Sequence, residues 1–386
     1  MDALPYDILA RLNNDLQPDD DPRAANARHR LVDLLTIAIL GVLGGADDYP
    51  GIVEYARDEH DWLKTFLPLP HGIPSISTFR RLFAAIRPAA LERVLRRWSG
   101  DLTGTLAGKQ VTIDGKTLRG SFDHAWDANS ALHLVSAWCV ESNLVLTQQA
   151  VADKSNEITA IPELIDLLDL KGAVVTIDAM GTQTAIARKI VRAGADYVLA
   201  VKDNHPTLAD SLRRHMDEMI LEKFKDVAHS YHESTEAGHD RVETRKTWAT
   251  GDLSWLARRG EWMNLSSVVL VERTRRENAQ AEPTVTRSYY ISSLKNASAE
   301  RLGGLIRGHW SIENQQHWGL DVAFNEDQSR VRKQHGNQNL AVLRRIAHGL
   351  LRRDKSVKVG VKTKRLKAGR NHNYLLQVLL GGGNAK

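Results

Sequence analysis

The chain has 386 residues, 42% of them hydrophobic and 26% charged, with a formal net charge of +5 and one cysteine. This composition is typical of a globular protein of two or three domains, and the lone Cys139 excludes a disulfide framework and a cysteine-rich zinc site. The most apolar segment, Leu31–Leu43, is too short to span a bilayer and carries Asp33, so it predicts a buried core helix in a cytoplasmic protein.

Helical periodicity dominates the first hundred residues after a polar stretch, residues 1–22, that we interpret as a loose lead-in. We therefore predict an all-helical N-terminal domain over residues 1–106 that binds DNA. Its helices are expected at Leu31–Leu43, Tyr49–Phe66, Thr78–Ile86 and Ala89–Leu102.

Ser75 begins one of these helices as a serine cap, and the adjacent Arg80 and Arg81 follow it. Two interpretations remain open. The helix either enters a DNA groove as the second helix of a helix-turn-helix, or it is a capped packing helix whose arginines are solvated.

The pattern changes to α/β after Leu106. Three successive strands separated by turn signals predict an antiparallel meander, and helices then alternate with two further strands. This is the element order of a ribonuclease H-like mixed sheet, in which the first and fourth strands are neighbours. The predicted strands are Gln110–Leu118, Leu132–Val140, Leu144–Val151, Ala173–Asp178 and Tyr197–Lys202, and the helices are Ile158–Leu168 and Thr184–Ala193.

The tetrapeptide Val-Thr-Ile-Asp occurs twice, ending at Asp114 and at Asp178. Each copy closes a β-branched run on a carboxylate, which is costly to desolvate unless a positive group meets it. On the predicted topology the two carboxylates lie side by side, about 5 Å apart across the ladder. The sequence therefore predicts one shared divalent cation.

Residues 206–290 are predicted to form a β-rich insertion, because alternating segments follow a charged helix before helices of the core fold resume. The helix is expected at Leu208–Phe224 and the strands at Arg241–Ala249, Met263–Glu272 and Thr284–Ile291.

A single helix capped by Ser298 is predicted to run to Leu320 within residues 291–330, the second part of the core. Glu313 and His317 interrupt its apolar stripe, so Glu313 points to the sheet and is the candidate third carboxylate. The alternative is a Glu313 ion pair with Arg307 or Arg301. Other acids that compete for the place are Asp203, Asp321, Glu326 and Asp327.

Positive charge is concentrated in one block of the C-terminal segment, residues 331–386. From Arg330 to Arg370 the chain carries fourteen Lys and Arg and one acid, Asp354, a net charge of +13 against about −8 for the remainder. Such a block predicts a polyanionic partner, and nucleic acid fits best. The alternative is a solvated basic helix over Asn339–Arg353 without a DNA contact.

Four ordered blocks resemble the DDE-class transposases of bacterial insertion sequences, specifically the H-repeat-associated family. Together with a looser likeness at the amino end, these blocks extend over roughly residues 20–355 in the order that the family has them. The blocks are Ile113-Asp-Gly-Lys-Thr-Leu-Arg-Gly120, Thr176-Ile-Asp-Ala-Met-Gly-Thr-Gln183, Lys202-Asp-Asn-His-Pro206 and the stretch from His309 to Asp327.

The resemblance implies that Asp114, Asp178 and Glu313 are catalytic and hold two Mg²⁺ ions, with Mn²⁺ as a substitute. It implies transposon-end and target DNA as substrates, a homodimer holding two ends, and a nucleoid-associated location. The reaction would be hydrolysis at the element end followed by 3′-hydroxyl strand transfer. A nuclease without strand transfer, or a DNA-binding descendant without catalysis, remains an alternative.

Further residues are expected beside this site or on the DNA. Trp310 and Trp318 are expected to pack in the core rather than stack on a base. His309, His317 and Asp321 are expected to lie next to the acids without binding the metal themselves. The expected DNA contacts are Lys116, Arg119, Lys202, Arg80, Arg81, Arg344, Arg345, Arg352 and Arg353. For Lys116, Arg119 and Lys202 the alternative is that they offset the negative charge of the nearby acids.

Overall fold

A computed structural model describes residues 4–122, 131–151, 157–238, 241–277 and 282–380. The end of the predicted C-terminal segment, residues 381–386, lies outside the described residues. The chain divides into two compact units. The first contains residues 1–104, 115–154 and 313–386, and the second contains residues 105–114 and 155–312.

Helices and strands follow one another along the chain as in a mixed α/β protein. The helices are α1 (Leu4–Asp15), α2 (Leu31–Leu43), α3 (Tyr49–Asp58), α4 (His60–Leu63), α5 (Ile76–Ala85), α6 (Pro88–Thr103), α7 (Glu157–Asp166), α8 (Thr184–Arg192), α9 (Pro206–Leu221), α10 (Ala299–His309), α11 (Trp318–Phe324), α12 (Gly336–Arg353), α13 (Val361–Ala368) and α14 (His372–Leu379). The strands are β1 (Gln110–Thr117), β2 (His133–Cys139), β3 (Leu144–Val151), β4 (Val174–Ile177), β5 (Asp196–Val201), β6 (His229–Gly238), β7 (Arg241–Thr250), β8 (Ser267–Arg276) and β9 (Thr284–Ser292).

Helix α2 lies at the centre of the first unit. All thirteen of its residues are buried, Asp33 included, so the prediction of a core helix is confirmed. The predicted loose lead-in is wrong, because residues 4–15 form α1 and Leu12 is only 2% exposed.

The N-terminal helices do not form a unit of their own. Helix α12 from the C-terminal part of the chain packs against α2, α5 and α6, and α6 also packs against β3. The predicted boundary near residue 106 therefore separates the segments by sequence but not by core. Strands β3, β2 and the end of β1 follow in that order within the same unit, with β2 and β3 antiparallel.

The sheet of the second unit has the order β1-β4-β5-β9-β8-β7-β6. Strands β1, β4 and β5 are parallel, whereas β5 pairs antiparallel with β9. The predicted adjacency of the first and fourth strands is confirmed by the register Ile113↔Ile177.

The predicted β-rich insertion continues this sheet, because β9 pairs directly with β5. The sequence did not predict β6, whose side chains are polar and largely exposed. One face of the sheet is covered by α10, where Ala299, Leu302 and Ile306 join a buried cluster with Val174 and Val269. This packing brings the end of α10 to strand β4.

Among the described helices, none has both the length and the apolar composition that crossing a bilayer requires.

Candidate active site

Two carboxylates lie where the parallel pairing between β1 and β4 ends. Asp114 comes one residue after Ile113 in β1, and Asp178 comes one residue after Ile177, the last residue of β4. Ile113 and Ile177 are register partners, so the two aspartates leave the sheet at the same level. Both side chains are partly exposed.

A buried polar network lies beneath them. The hydroxyls of Thr112 and Thr176 are 3.0 Å apart, and the Gln110 amide donates to Thr176 Oγ1 at 3.0 Å and to the Leu305 carbonyl at 2.7 Å. Because side chains two residues apart on a strand share a face, Asp114 lies above Thr112 and Asp178 above Thr176. The two carboxylates therefore occupy one face of the sheet.

Sequence reasoning missed this network, although its signal was present. Each copy of Val-Thr-Ile-Asp carries a threonine two residues before its aspartate. Gly308 adds a second requirement, since a Cβ there would lie 2.2 Å from Gln110 Oε1. A glycine at this position lets α10 approach the network.

The turn after β4 fixes the Asp178 side chain. The Gly181 N–H donates to Asp178 Oδ1 at 3.2 Å, and the Thr182 hydroxyl donates to the carbonyls of Asp178 and Ala200 at 3.0 and 2.6 Å. A Cβ on Gly181 would lie 2.3 Å from Ile177 Cγ2. The turn therefore needs glycine to hold its amide against the carboxylate.

Burial raises the pKa of the Asp178 carboxyl above its ordinary value, and the negative charge of Glu157 adds to the effect. The Gly181 amide and the positive charge of Lys202 act in the opposite direction. Lys202 is exposed, as a phosphate contact requires. The Gly181 amide and Lys202 therefore do not fully offset the effect of burial on the ionised carboxylate of Asp178.

His309 ends α10 beside the same strand, with Nδ1 3.3 Å from Thr176 Oγ1. Burial lowers its pKa to about 4, and the charge of Lys202 contributes. His309 is therefore neutral at pH 7 and suited to holding Thr176 rather than to carrying charge.

The predicted continuous helix from Ser298 to Leu320 is interrupted. After α10 the chain forms a π-helix over Ile312–His317 and then α11. The wider π turn shifts the phase of every later side chain, which breaks the predicted stripe. Glu313 is exposed, and it has no ion-pair partner among the described residues. The alternative pair is absent at Arg307, which binds Glu236.

The two tryptophans that flank this segment were expected in the core, and that prediction is wrong. Trp310 is 52% exposed and Trp318 is 64% exposed. The phase shift of the π-helix accounts for Trp318, whereas Trp310 precedes the π-helix and lies in the turn that ends α10.

Lys116 and Asp321 form a cluster in the first unit. Lys116 is 8% exposed, and its Nζ lies 2.8 Å from both carboxylate oxygens of Asp321 and 3.1 Å from Asp327. Arg119 lies 3.5 Å from Asp327 but remains exposed. Lys116 therefore neutralises two protein acids, which corrects its predicted role as a phosphate contact, whereas Arg119 stays available.

Behind this cluster His317 is buried, and burial together with the charges of Arg345 and Lys116 lowers its pKa to about 3. His317 is therefore a packed histidine of the first unit.

Two predicted DNA contacts are internal. Arg345 and Glu326 form an ion pair at 2.8 Å in which neither side chain is exposed, and Arg344 donates to the Asp47 carbonyl at 2.8 Å. We correct these two assignments, because a guanidinium bonded inside the core cannot reach a DNA phosphate.

The remaining predicted contacts differ in exposure. Arg80 and Arg81 are exposed on α5, which Ser75 caps as predicted, its side chain accepting from the Thr78 N–H at 3.2 Å. Arg353 is half-buried, and Arg352 is half-buried with bonds to Asn143 and Gln315.

The residues present fit a divalent ion in part. Two carboxylates on one face supply the oxygen ligands that Mg²⁺ prefers. Burial raises the pKa of Asp178, and a bound cation would offset that effect by stabilising the ionised carboxylate. Within the described ranges, no group of three or more His, Cys, Asp or Glu side chains is close enough to hold a metal. Within the second unit, the described carboxylates that could hold an ion at this place are Asp114 and Asp178.

These observations define the class as a mixed α/β protein with a carboxylate pair at the end of the pairing between two adjacent parallel strands. Residues 107–350 match the family described as Transposase DDE domain, and residues 16–99 match the family described as DDE_Tnp_1-associated. The chain belongs to the DDE transposase family, with the H-repeat-associated proteins among its relatives.

Several relatives match along most of their length. "Putative transposase YncI" of Escherichia coli O157:H7 is 38% identical over 93% of this chain and 92% of its own. "H repeat-associated putative transposase YhhI" of Escherichia coli strain K12 is 35% identical over 92% of this chain and 93% of its own. The piggyBac transposase in a synaptic complex with hairpin DNA is 12% identical, with a TM-score of 0.39 over 98% of this chain and 79% of that one, which is too low to carry an argument.

Proposed function

We propose that the chain is a DNA transposase that hydrolyses a phosphodiester bond at an insertion-sequence end and then joins the freed 3′-hydroxyl to target DNA. The observation that carries this proposal is the pair Asp114 and Asp178 on one face of adjacent parallel strands, in a chain of the DDE transposase family.

Both reactions are displacements at phosphorus. In the first, a water oxygen attacks and the 3′-oxygen of the element strand leaves. In the second, that 3′-oxygen attacks a target phosphate and the target strand's 3′-oxygen leaves. The chain needs no covalent intermediate for either reaction.

Asp114, Asp178 and Glu313 are the residues that would hold two Mg²⁺ ions. When bound, such ions activate the attacking oxygen and stabilise the leaving one. The contribution of the protein is to fix Asp178 through the Gly181 amide and to keep the two strands in register through the threonine contact. The exposed Lys202 and Arg119 are proposed phosphate contacts.

A homodimer follows from the proposed reaction, since strand transfer joins two element ends and each end needs a set of catalytic acids. Duplex DNA is then the partner of both copies.

The test is cleavage and joining of labelled end DNA with Mg²⁺. Asp114→Asn, Asp178→Asn and Glu313→Gln are each expected to reduce cleavage by about 100-fold or more, because a neutral amide is a poor ligand for a hard cation. Asp203→Asn is the matched control, since Asp203 is exposed one strand farther along, and it should cleave at the wild-type rate.

Each outcome assigns a function. Wild-type cleavage in any acid variant removes that residue from the site. Hydrolysis without joined product favours a nuclease over a transposase. DNA binding without cleavage by the wild-type protein would reduce the function to binding alone.

A further inference from the structure

A pocket of about 470 Å³ in the first unit is lined mainly by positively charged side chains. Four cationic side chains and one acid, Asp48, line it. The cations are Arg80, Arg330, Arg332 and Lys333, and we name the group the basic pocket.

We propose that the basic pocket binds a backbone phosphate of duplex DNA. This proposal rests on the proposed function and adds to it a binding site that no part of the carboxylate chemistry uses.

Charge is the first reason. Four cations against one carboxylate leave a net charge of +3 around one cavity. Like charges held together repel one another, and the arrangement is stabilised when an anion enters. The acid is further occupied, because Asp48 Oδ1 accepts the Gly51 N–H at 2.9 Å as the cap of α3.

The cations are available to a ligand. Arg80, Arg330 and Lys333 are exposed, and none of them has an ion-pair partner among the residues that the structure describes. Asp47, the residue before Asp48, forms an ion pair with Arg365 at 2.7 Å and not with a cation of the pocket. Described acidic side chains therefore do not neutralise these three cations of the pocket.

Arg332 is held in place. Its Nε donates to the Gly120 carbonyl at 3.1 Å, and its guanidinium lies 4.9 Å from the centre of the Phe122 ring. These contacts fix the side chain while leaving the two terminal nitrogens for an anion. A Cβ on Gly120 would lie 2.4 Å from the Ser329 carbonyl oxygen, so glycine allows this close approach.

The chemistry selects a phosphodiester. Three guanidinium groups match the planar, two-point recognition of phosphate oxygens, and a lysine adds a point charge. The cations of the basic block, residues 330–370, differ in burial. Arg344, Arg345 and Arg365 are buried in the core, whereas the pocket residues Arg330 and Lys333 are exposed. The start of the block, rather than its middle, thus offers phosphate contacts.

The experiment compares two double variants of equal charge change. Arg330→Gln with Lys333→Gln removes two pocket cations. Lys358→Gln with Lys362→Gln removes two exposed lysines of the same basic block that do not line the pocket. Affinity for an end-DNA duplex is measured from 50 to 200 mM salt, and thermal unfolding checks that both variants fold.

The pocket variant is expected to lower affinity about tenfold at 100 mM salt and to reduce the slope of log K against log salt by about 0.9, the value for one lost phosphate contact. The control variant should change the slope by less than half as much. Equal changes in both variants, or no change in the pocket variant, would overturn the proposal.

Three further outcomes separate the possible failures. If the pocket variant loses binding of inorganic phosphate but keeps wild-type DNA affinity, the site takes free phosphate and the DNA assignment is wrong. If both variants keep wild-type affinity and slope while wild-type protein cleaves DNA, the pocket fails and the proposed transposase function stands. If wild-type protein does not bind DNA, both fail.

Discussion

The side chains of Thr112 and Thr176 meet across the parallel pair β1 and β4, with their hydroxyl oxygens 3.0 Å apart. This contact joins the two copies of the repeated tetrapeptide in space. Each threonine lies two residues before an aspartate, so the contact sets the level and face from which both carboxylates leave the sheet.

Thr176→Val should destabilise the protein by about 1–3 kcal/mol, because it removes the hydroxyl that meets Gln110 and Thr112 and leaves buried polar atoms without a partner. Urea unfolding measures the change. Thr286→Val on β9 is the control, since that threonine is exposed and a β-branched substitute suits a strand. Equal stability in the two variants would show that the network does not support the sheet.

Asp178→Asn should raise the melting temperature of the protein without metal. Burial raises the pKa of Asp178, so its contribution to stability is present below the unfolded pKa near 3.9 and is lost as pH rises through the folded pKa. At pH 7 the ionised carboxylate therefore costs stability, and the amide removes that cost.

Mg²⁺ should reverse this order. Millimolar Mg²⁺ is expected to raise the melting temperature of wild-type protein and of Asp203→Asn, but not of Asp178→Asn, because a ligand stabilises only a protein that binds it. The readout is thermal unfolding with and without Mg²⁺. An equal Mg²⁺ shift in all three proteins would mean that the ion binds elsewhere.

The elements that position Asp114 and Asp178 could be predicted from sequence because their signals are local. Apolar, β-branched runs gave both strands within a few residues, and the apolar run of α2 was predicted with its observed ends. Strand β6 carries no such run, since its residues are polar and mostly exposed. Its pairing with β7 and the continuity of the sheet identify it instead.

The missed features depend on side-chain partners and on helix type, which the sequence pattern does not indicate. Counting charges placed Arg345 on the DNA, whereas Glu326 meets it in the core. A helical repeat of 3.6 residues placed Glu313 facing a sheet, but the π-helix changes the repeat at that residue. Neither a buried ion pair nor a change of helix type leaves a periodic signal.

His309→Gln should make stability less dependent on acid. The folded pKa of about 4 lies below the unfolded value near 6.5, so stability is present above pH 6.5 and is lost as pH falls toward 4. The wild-type protein should lose about 2 kcal/mol from this residue between pH 7.5 and 5. Glutamine retains a hydrogen-bonding partner for Thr176 and removes the titration.

The control for His309 is His335→Gln, because His335 is exposed. Denaturant unfolding at pH 7.5 and 5 measures all three proteins. If His335→Gln abolished the loss of stability between pH 7.5 and 5 and His309→Gln retained it, the acid sensitivity would come from His335. The prediction for His309 would then be wrong.

Arg345→Met should destabilise the protein by about 3–5 kcal/mol, because Glu326 would keep its buried charge without a partner. Arg345→Met combined with Glu326→Leu removes both charges and should return stability to near the wild-type value. Urea unfolding measures this difference, and DNA binding at 100 mM salt tests the role of the residue. The double variant should bind DNA as wild type does. A double variant that folds normally but loses affinity about tenfold would make Arg345 a DNA contact after all.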